Sequence, residues 1–135
     1  MDKLSISVLE YVLRAYLRGD VEAIPTWRML RAPAAELKAR AEAFANRAGG
    51  AAKPIEVKSL VGGGSAPEAY IPSWGVAVGF PGLSDAELER RLRSSNPPVI
   101  VRVEEGRVIL DFRTIFSTEE DELLEILSRC QSLIP

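Results

Sequence analysis

The 135-residue chain contains no histidine and only one cysteine, Cys130. Without imidazole there can be no Ser-His-Asp or Cys-His nucleophile system, no histidine acid–base catalyst and no zinc site built on ring nitrogens. A single cysteine excludes an internal disulfide and any cysteine-rich metal cluster. An excess of one charge is missing too: 17 Lys+Arg stand against 19 Asp+Glu, a formal net charge of −2. That balance gives no global attraction to nucleic acid or to an anionic membrane. No apolar run approaches the roughly 18 residues of a membrane-spanning helix, and the N-terminus carries no signal-peptide pattern. What is present is ordinary globular composition, 47% hydrophobic and 27% charged, with 7% aromatic residues. One domain of this size buries about 65–70% of its unfolded surface and needs no staple. A reduced, cytoplasmic compartment is the expectation.

Hydrophobic periodicity places a helix over Leu4 to Leu17, with an i, i+3, i+4 stripe ended by Gly19-Asp20. A well-formed helix with so little chain ahead of it suggests a segment cut from a longer protein. Pro25 opens a short helix through Arg31, and Ala34 to Arg47 reads as a third. Gly49 to Lys53 is the only stretch with the look of a linker. Ile55 to Val61 alternates as a strand, with Ile55, Val57 and Ser59 on one face. Ser73 to Phe80 is a second strand. Ser84 and Glu87 have the spacing of a capping box for a helix through Arg93. Val99 to Val103 and Arg107 to Asp111 form a hairpin across Glu104-Glu105-Gly106. Thr118 is placed as the cap of a last helix running to about Leu133. This order of three helices, two strands, a helix, two strands and a helix predicts an α/β chain of the α+β two-layer type. Its sheet should have about four strands, mixed or antiparallel, covered by helices.

Few groups suggest chemistry. Gly62-Gly63-Gly64-Ser65 follows a strand but lacks the spacing of a dinucleotide or P-loop fingerprint. It reads either as an irregular turn or as backbone that must approach a ligand closely, with Ser65 offering a hydroxyl. Arg113 lies just beyond a buried-looking strand, where a planar guanidinium can grip a carboxylate or phosphate. The structural alternative is an ion pair with Asp111 or Glu119. Arg90, Arg91 and Arg93 alternate with Glu87 and Glu89 as a solvated helix face does. Trp27 and Trp74 read as packing anchors, Cys130 as inert core, and Glu119 to Glu122 as charge compensation at a helix start. No metal-ligating set emerges.

Six segments nevertheless occur in a telling order: Asp2-Lys3-Leu4, Leu13-Arg14-Ala15-Tyr16-Leu17, Ile24-Pro25-Thr26-Trp27-Arg28-Met29-Leu30, Val61-Gly-Gly-Gly-Ser65-Ala-Pro67-Glu68, Pro72-Ser73-Trp74-Gly75-Val76-Ala77 and Leu110-Asp111-Phe112-Arg113-Thr114. Together they resemble the C-terminal part of the bacterial selenocysteine synthase family, the L-seryl-tRNA(Sec) selenium transferases. The resemblance runs from Asp2 to the final helix. It implies the small domain of a fold-type I pyridoxal-phosphate enzyme, 1–135 as one domain, with 1–18 a leading helix toward a large cofactor domain and 19–135 the small domain proper. In such an enzyme the cofactor serves as electron sink while water leaves the seryl group of seryl-tRNA(Sec), and selenophosphate supplies the selenium.

None of the lysines here, Lys3, Lys38, Lys53 and Lys58, stands in the family's Gly-Asp-Lys-Leu-Leu-Gly-Gly-Pro-like context. The resemblance therefore implies a chain that binds no cofactor and is inactive alone. Its expected partners are the large domain and other subunits of a homo-oligomer. By analogy with related enzymes, Arg113, Ser65, Gly63 and Gly64 become candidate substrate contacts. Because the substrate carboxyl is esterified, Arg113 would meet the ester carbonyl, the tRNA terminus or a phosphate oxygen. Two alternatives stay open: a related pyridoxal enzyme acting on a free amino acid or amino sugar, and a stand-alone, non-catalytic interaction module.

Overall fold

The structure is a computed structural model that describes residues 2–61 and 70–132. They divide into two compact units, Met1–Ala32 and Pro33–Pro135.

In the first unit, α1 (Lys3–Arg18) starts at Asp2, whose carboxylate accepts from the Ser5 amide at 2.9 Å. It stops at Gly19, where φ of +72° suits glycine. A 3₁₀ turn over Val21–Ala23 leads to α2 (Pro25–Arg31), with proline in the first turn as anticipated. The Trp27 indole N–H donates to the Tyr16 hydroxyl, the two rings meet edge-on at 5.8 Å, and the Arg31 guanidinium lies over the indole. Much of the apolar stripe of α1 is exposed, Leu4 and Leu17 being 76% and 88% accessible.

The second unit contains the sheet. After α3 (Ala34–Arg47) come β1 (Ala52–Leu60) and β2 (Tyr70–Val78), then α4 (Asp85–Arg93), β3 (Arg102–Glu104), β4 (Arg107–Asp111) and α5 (Glu120–Ser132). The element order matches the sequence reading, and all strand pairings are antiparallel, in the order β1-β2-β4-β3. Strand β1 begins at Ala52, within the stretch read as a linker, because Ala52 pairs with Val78 and is itself buried. The Glu105-Gly106 turn has φ of +50° and +69°, the twist that a two-residue hairpin favours.

One sheet face carries Val76, Val78, Val108 and Leu110, all buried, with Trp74 and Phe112 alongside. Helix α3 packs on β1 and β2, bringing Phe44 edge-on to Phe112 at 5.2 Å and the Lys38 ammonium over the Trp74 ring at 4.8 Å. The seam of α5 buries Leu123, Ile126, Leu127 and Cys130. Burial raises the Cys130 thiol pKa above its ordinary value, in keeping with an inert core cysteine.

Two helix starts differ from expectation. Thr118 does not cap the last helix. The chain enters through a 3₁₀ turn over Ser117–Glu119, and the Glu119 carboxylate reaches back to accept from the Phe116 amide at 2.8 Å. At α4, the Ser84 hydroxyl does accept from the Glu87 amide at 3.2 Å, but the Glu87 carboxylate turns to Arg90 and Arg91 at 2.7 and 2.9 Å. Two nearby guanidinium groups outcompete one backbone N–H for a carboxylate.

Hydrogen bonds from those arginines lower the Glu87 pKa to about 2 from an ordinary 4.5. A depressed folded-state pKa gives stability that is present above the unfolded value and lost as pH falls through the folded one. Glu87→Gln should therefore reduce the loss of thermal midpoint between pH 4.5 and pH 2, and leave the pH 6–8 region flat. Thermal melts across that range check it; an unchanged acid slope refutes it.

Candidate functional site

The C-terminal end of β4 is where polar chemistry gathers. The strand pairs with β2 through Gly75↔Asp111 and continues one residue further, with the Phe112 amide donating to the Trp74 carbonyl at 3.0 Å. The chain then turns: the Thr114 amide and hydroxyl both donate to the Asp111 carbonyl, at 3.1 and 3.0 Å. This turn aims Arg113 back toward the start of β2, where its Nη2 donates to the Pro72 carbonyl at 2.7 Å. Arg113 is 6% exposed, and burial pushes its guanidinium below its ordinary pKa while the Asp111 carboxylate works the other way.

Asp111 is the centre of the arrangement. Its Oδ1 accepts from the Ser73 hydroxyl at 2.7 Å and from the Arg113 amide at 3.1 Å. Its Oδ2 accepts from the Ser59 hydroxyl at 2.5 Å and faces Arg102 Nη2 at 3.4 Å. The register explains why one short side chain meets so many donors. Cross-strand partners share a face, so Asp111, Gly75 and Ile55 form one row and Ser73 and Val57 the next. Opposite Asp111 stands a glycine, and no side chain there blocks its reach toward β1. Arg102 extends from β3 across the same face and donates to the Lys58 carbonyl at 3.0 Å.

The turn is also held from the helical side. Arg40 on α3 donates to the Ile115 carbonyl at 2.7 Å and more weakly to the Phe112 carbonyl at 3.4 Å, while its Nε pairs with Glu120 at 2.7 Å. Glu120 and Asp121 thus serve α3, the latter through Arg47, and Glu119 serves the helix start. The run stands in the first turn of α5, as the sequence suggested, but Glu120 and Asp121 are ion-paired to α3.

Of the candidate contacts, Arg113 lies in this cluster, and Gly63, Gly64 and Ser65 lie outside the described residues. The structural alternative weighed for Arg113 takes a different form from the one anticipated. Asp111 receives its backbone amide, and Glu119 is occupied with Phe116. Sequence reasoning missed Asp111, Ser59, Ser73, Arg102 and Arg40 as a group. The usable signal was serine on the inward face of a strand, where a hydroxyl demands a buried acceptor. Arg90 and Arg93 pair with Glu87 and Glu89 on a solvated helix face, as read, whereas Arg91, also paired with Glu87, is mostly buried and donates to the Cys130 carbonyl at 3.0 Å.

These features define an α+β two-layer domain with a polar, arginine-bearing strand end. The family model of L-seryl-tRNA selenium transferase matches residues 1–116. The L-seryl-tRNA(Sec) selenium transferase of Caldanaerobacter subterraneus subsp. tengcongensis is 40% identical, over 97% of this chain and 30% of its own length. Those of Wolinella succinogenes and Aquifex aeolicus are 38% and 36% identical, each over 95% of this chain and 29% and 30% of their own. The chain belongs to the L-seryl-tRNA selenium transferase family. It spans about 30% of the length of these relatives.

Proposed function

We propose that this chain is the C-terminal small domain of a selenocysteine synthase, an enzyme that converts seryl-tRNA(Sec) to selenocysteinyl-tRNA(Sec) with selenophosphate and pyridoxal phosphate. The observation that carries the reading is the family match over nearly the whole chain combined with its coverage of less than a third of each relative. Helix α1, with its exposed apolar stripe, is assigned to packing against the large domain. The working partners are that domain, further subunits of a homo-oligomer, and the tRNA and selenophosphate as substrates. The assigned compartment is the cytoplasm; no helix among the described residues is long and apolar enough to cross a membrane.

The described residues do not fit a pyridoxal-phosphate site. A cofactor lysine needs a desolvated position, whereas Lys3, Lys38, Lys53 and Lys58 are exposed, with Lys38 resting on Trp74 and Lys58 on Tyr70. The domain's own contribution is assigned to Arg113, with Gly63, Gly64 and Ser65. Held at the strand end, Arg113 presents positive charge toward the ester carbonyl, the tRNA terminus or a phosphate oxygen, and so orients the aminoacyl group.

The test is made in the full-length enzyme carrying this domain, supplied with pyridoxal phosphate, selenophosphate and seryl-tRNA(Sec). Selenocysteinyl-tRNA should form, and Arg113→Ala should lower kcat/KM by about a hundredfold. Because that change also strips the Pro72 carbonyl of a donor, it should cost about 1–3 kcal/mol of stability, too little to unfold the enzyme at assay temperature. Turnover of free serine or an amino sugar instead of the tRNA ester would select the related pyridoxal enzyme. Full activity of the variant would leave Arg113 a structural arginine.

A further inference from the structure

We infer that Asp111 is a positioning residue that aims Arg113, acting through the turn between them and not on the substrate itself. The inference rests on the role assigned to Arg113 above. Each carboxylate oxygen of Asp111 is engaged twice, Oδ1 by Ser73 and the Arg113 amide, Oδ2 by Ser59 and Arg102. The carboxylate therefore cannot rotate without breaking contacts on two sides. Its four donors come from β1, β2, β3 and the turn, so the direction in which residue 113 leaves the sheet is fixed against three strands at once. Arg102 adds a second tie, to the Lys58 carbonyl of β1, and Arg113 itself a third, to the Pro72 carbonyl of β2.

Stability alone is a poor reason for this arrangement. A side chain 9% exposed and charged must be desolvated, and replacing it together with its serine and arginine partners by well-packed apolar residues would stabilise the sheet as well or better. What a hydrophobe would not supply is direction. A carboxylate bonded to the amide of residue 113 and to two serine hydroxyls sets the angle of the turn to within hydrogen-bond tolerance. A guanidinium that must meet one oxygen of a bound ester depends on that angle.

A mutant cycle in the full-length enzyme separates this role from a structural one. Asp111→Asn keeps the shape and one acceptor oxygen. It should raise KM for seryl-tRNA(Sec) about tenfold, with kcat within about twofold and the thermal midpoint lowered by only a few degrees. Arg113→Ala should show the larger defect, and the Asp111→Asn, Arg113→Ala double variant should be no worse than Arg113→Ala alone, because one acts through the other. Multiplied defects in the double variant, or an unaltered KM in Asp111→Asn, would overturn the inference. An inert Arg113→Ala would instead overturn the role of Arg113. If Asp111→Asn does not fold, Ser73→Ala removes one of the two donors on Oδ1 and should give the same KM-only defect; a Ser73→Ala enzyme with wild-type KM counts against positioning.

Discussion

Replacing Gly75 with alanine should lower the thermal midpoint by about 10 °C, from a loss of about 3 kcal/mol. A Cβ built there would lie 2.4 Å from the Leu110 carbonyl oxygen and 3.2 Å from its carbon. Both are backbone atoms of the paired strand, so no side-chain rotation relieves the clash. Strands β2 and β4 must separate, and the Gly75↔Asp111 register holding the polar cluster goes with them. The matched control is Gly79→Ala, where the added methyl meets nothing within 4 Å and φ is not in the left-handed region. That variant should melt within a degree or two of the parent. Equal melts for the two variants would mean that the close approach at Gly75 does not govern stability.

The second large effect is expected at Phe112. It is fully buried, edge-on to Phe44, with the Arg40 guanidinium 5.5 Å from its ring centre. Truncation to alanine opens a cavity between α3 and the sheet and should cost about 3–5 kcal/mol. Phe112→Leu should restore most of that loss. Because Phe112 stands between Asp111 and Arg113, denaturant melts of Phe112→Ala should be accompanied by loss of function in the full-length enzyme even at temperatures where it remains folded. A Phe112→Ala chain as stable as the parent would contradict the packing described.

How much of this was legible in the sequence depends on the distance over which a residue acts. Local signals held: Pro25 opens α2, Ser84 caps α4, Glu105-Gly106 turns the hairpin, and Ile55, Val57 and Ser59 share a face. The α+β architecture and the order of its elements followed from such signals. Boundaries moved where tertiary pairing overrode them. Strand β2 starts at Tyr70 because β1 offers partners as far as Leu60, and β3 moves from Val99–Val103 to Arg102–Glu104, where it pairs with Arg107–Ile109 of β4. The cap at Thr118 failed because Glu119 can reach the Phe116 amide from within a tighter turn.

The site was legible only in part. Arg113 was marked by its place after a strand, a local cue. Its neighbours Ser59, Ser73 and Arg102 come from three different strands, and only the register brings them to Asp111. A carboxylate at a strand end looks the same in sequence whether it faces water or a set of donors.

The strand order β1-β2-β4-β3 has a bearing on how the sheet forms. Two of its three pairings join consecutive strands, β1 with β2 and β3 with β4, the second across a two-residue turn. The pairing of β2 with β4 must instead close over α4 and the Asn96-Pro97-Pro98 segment, and such non-local closure carries a larger entropic cost and slows folding. The seam that gathers Gly75, Asp111 and the Arg113 turn is thus also a kinetic bottleneck. Substitutions there should register in the refolding rate, whereas changes at the Glu105-Gly106 turn act on a hairpin that can assemble alone.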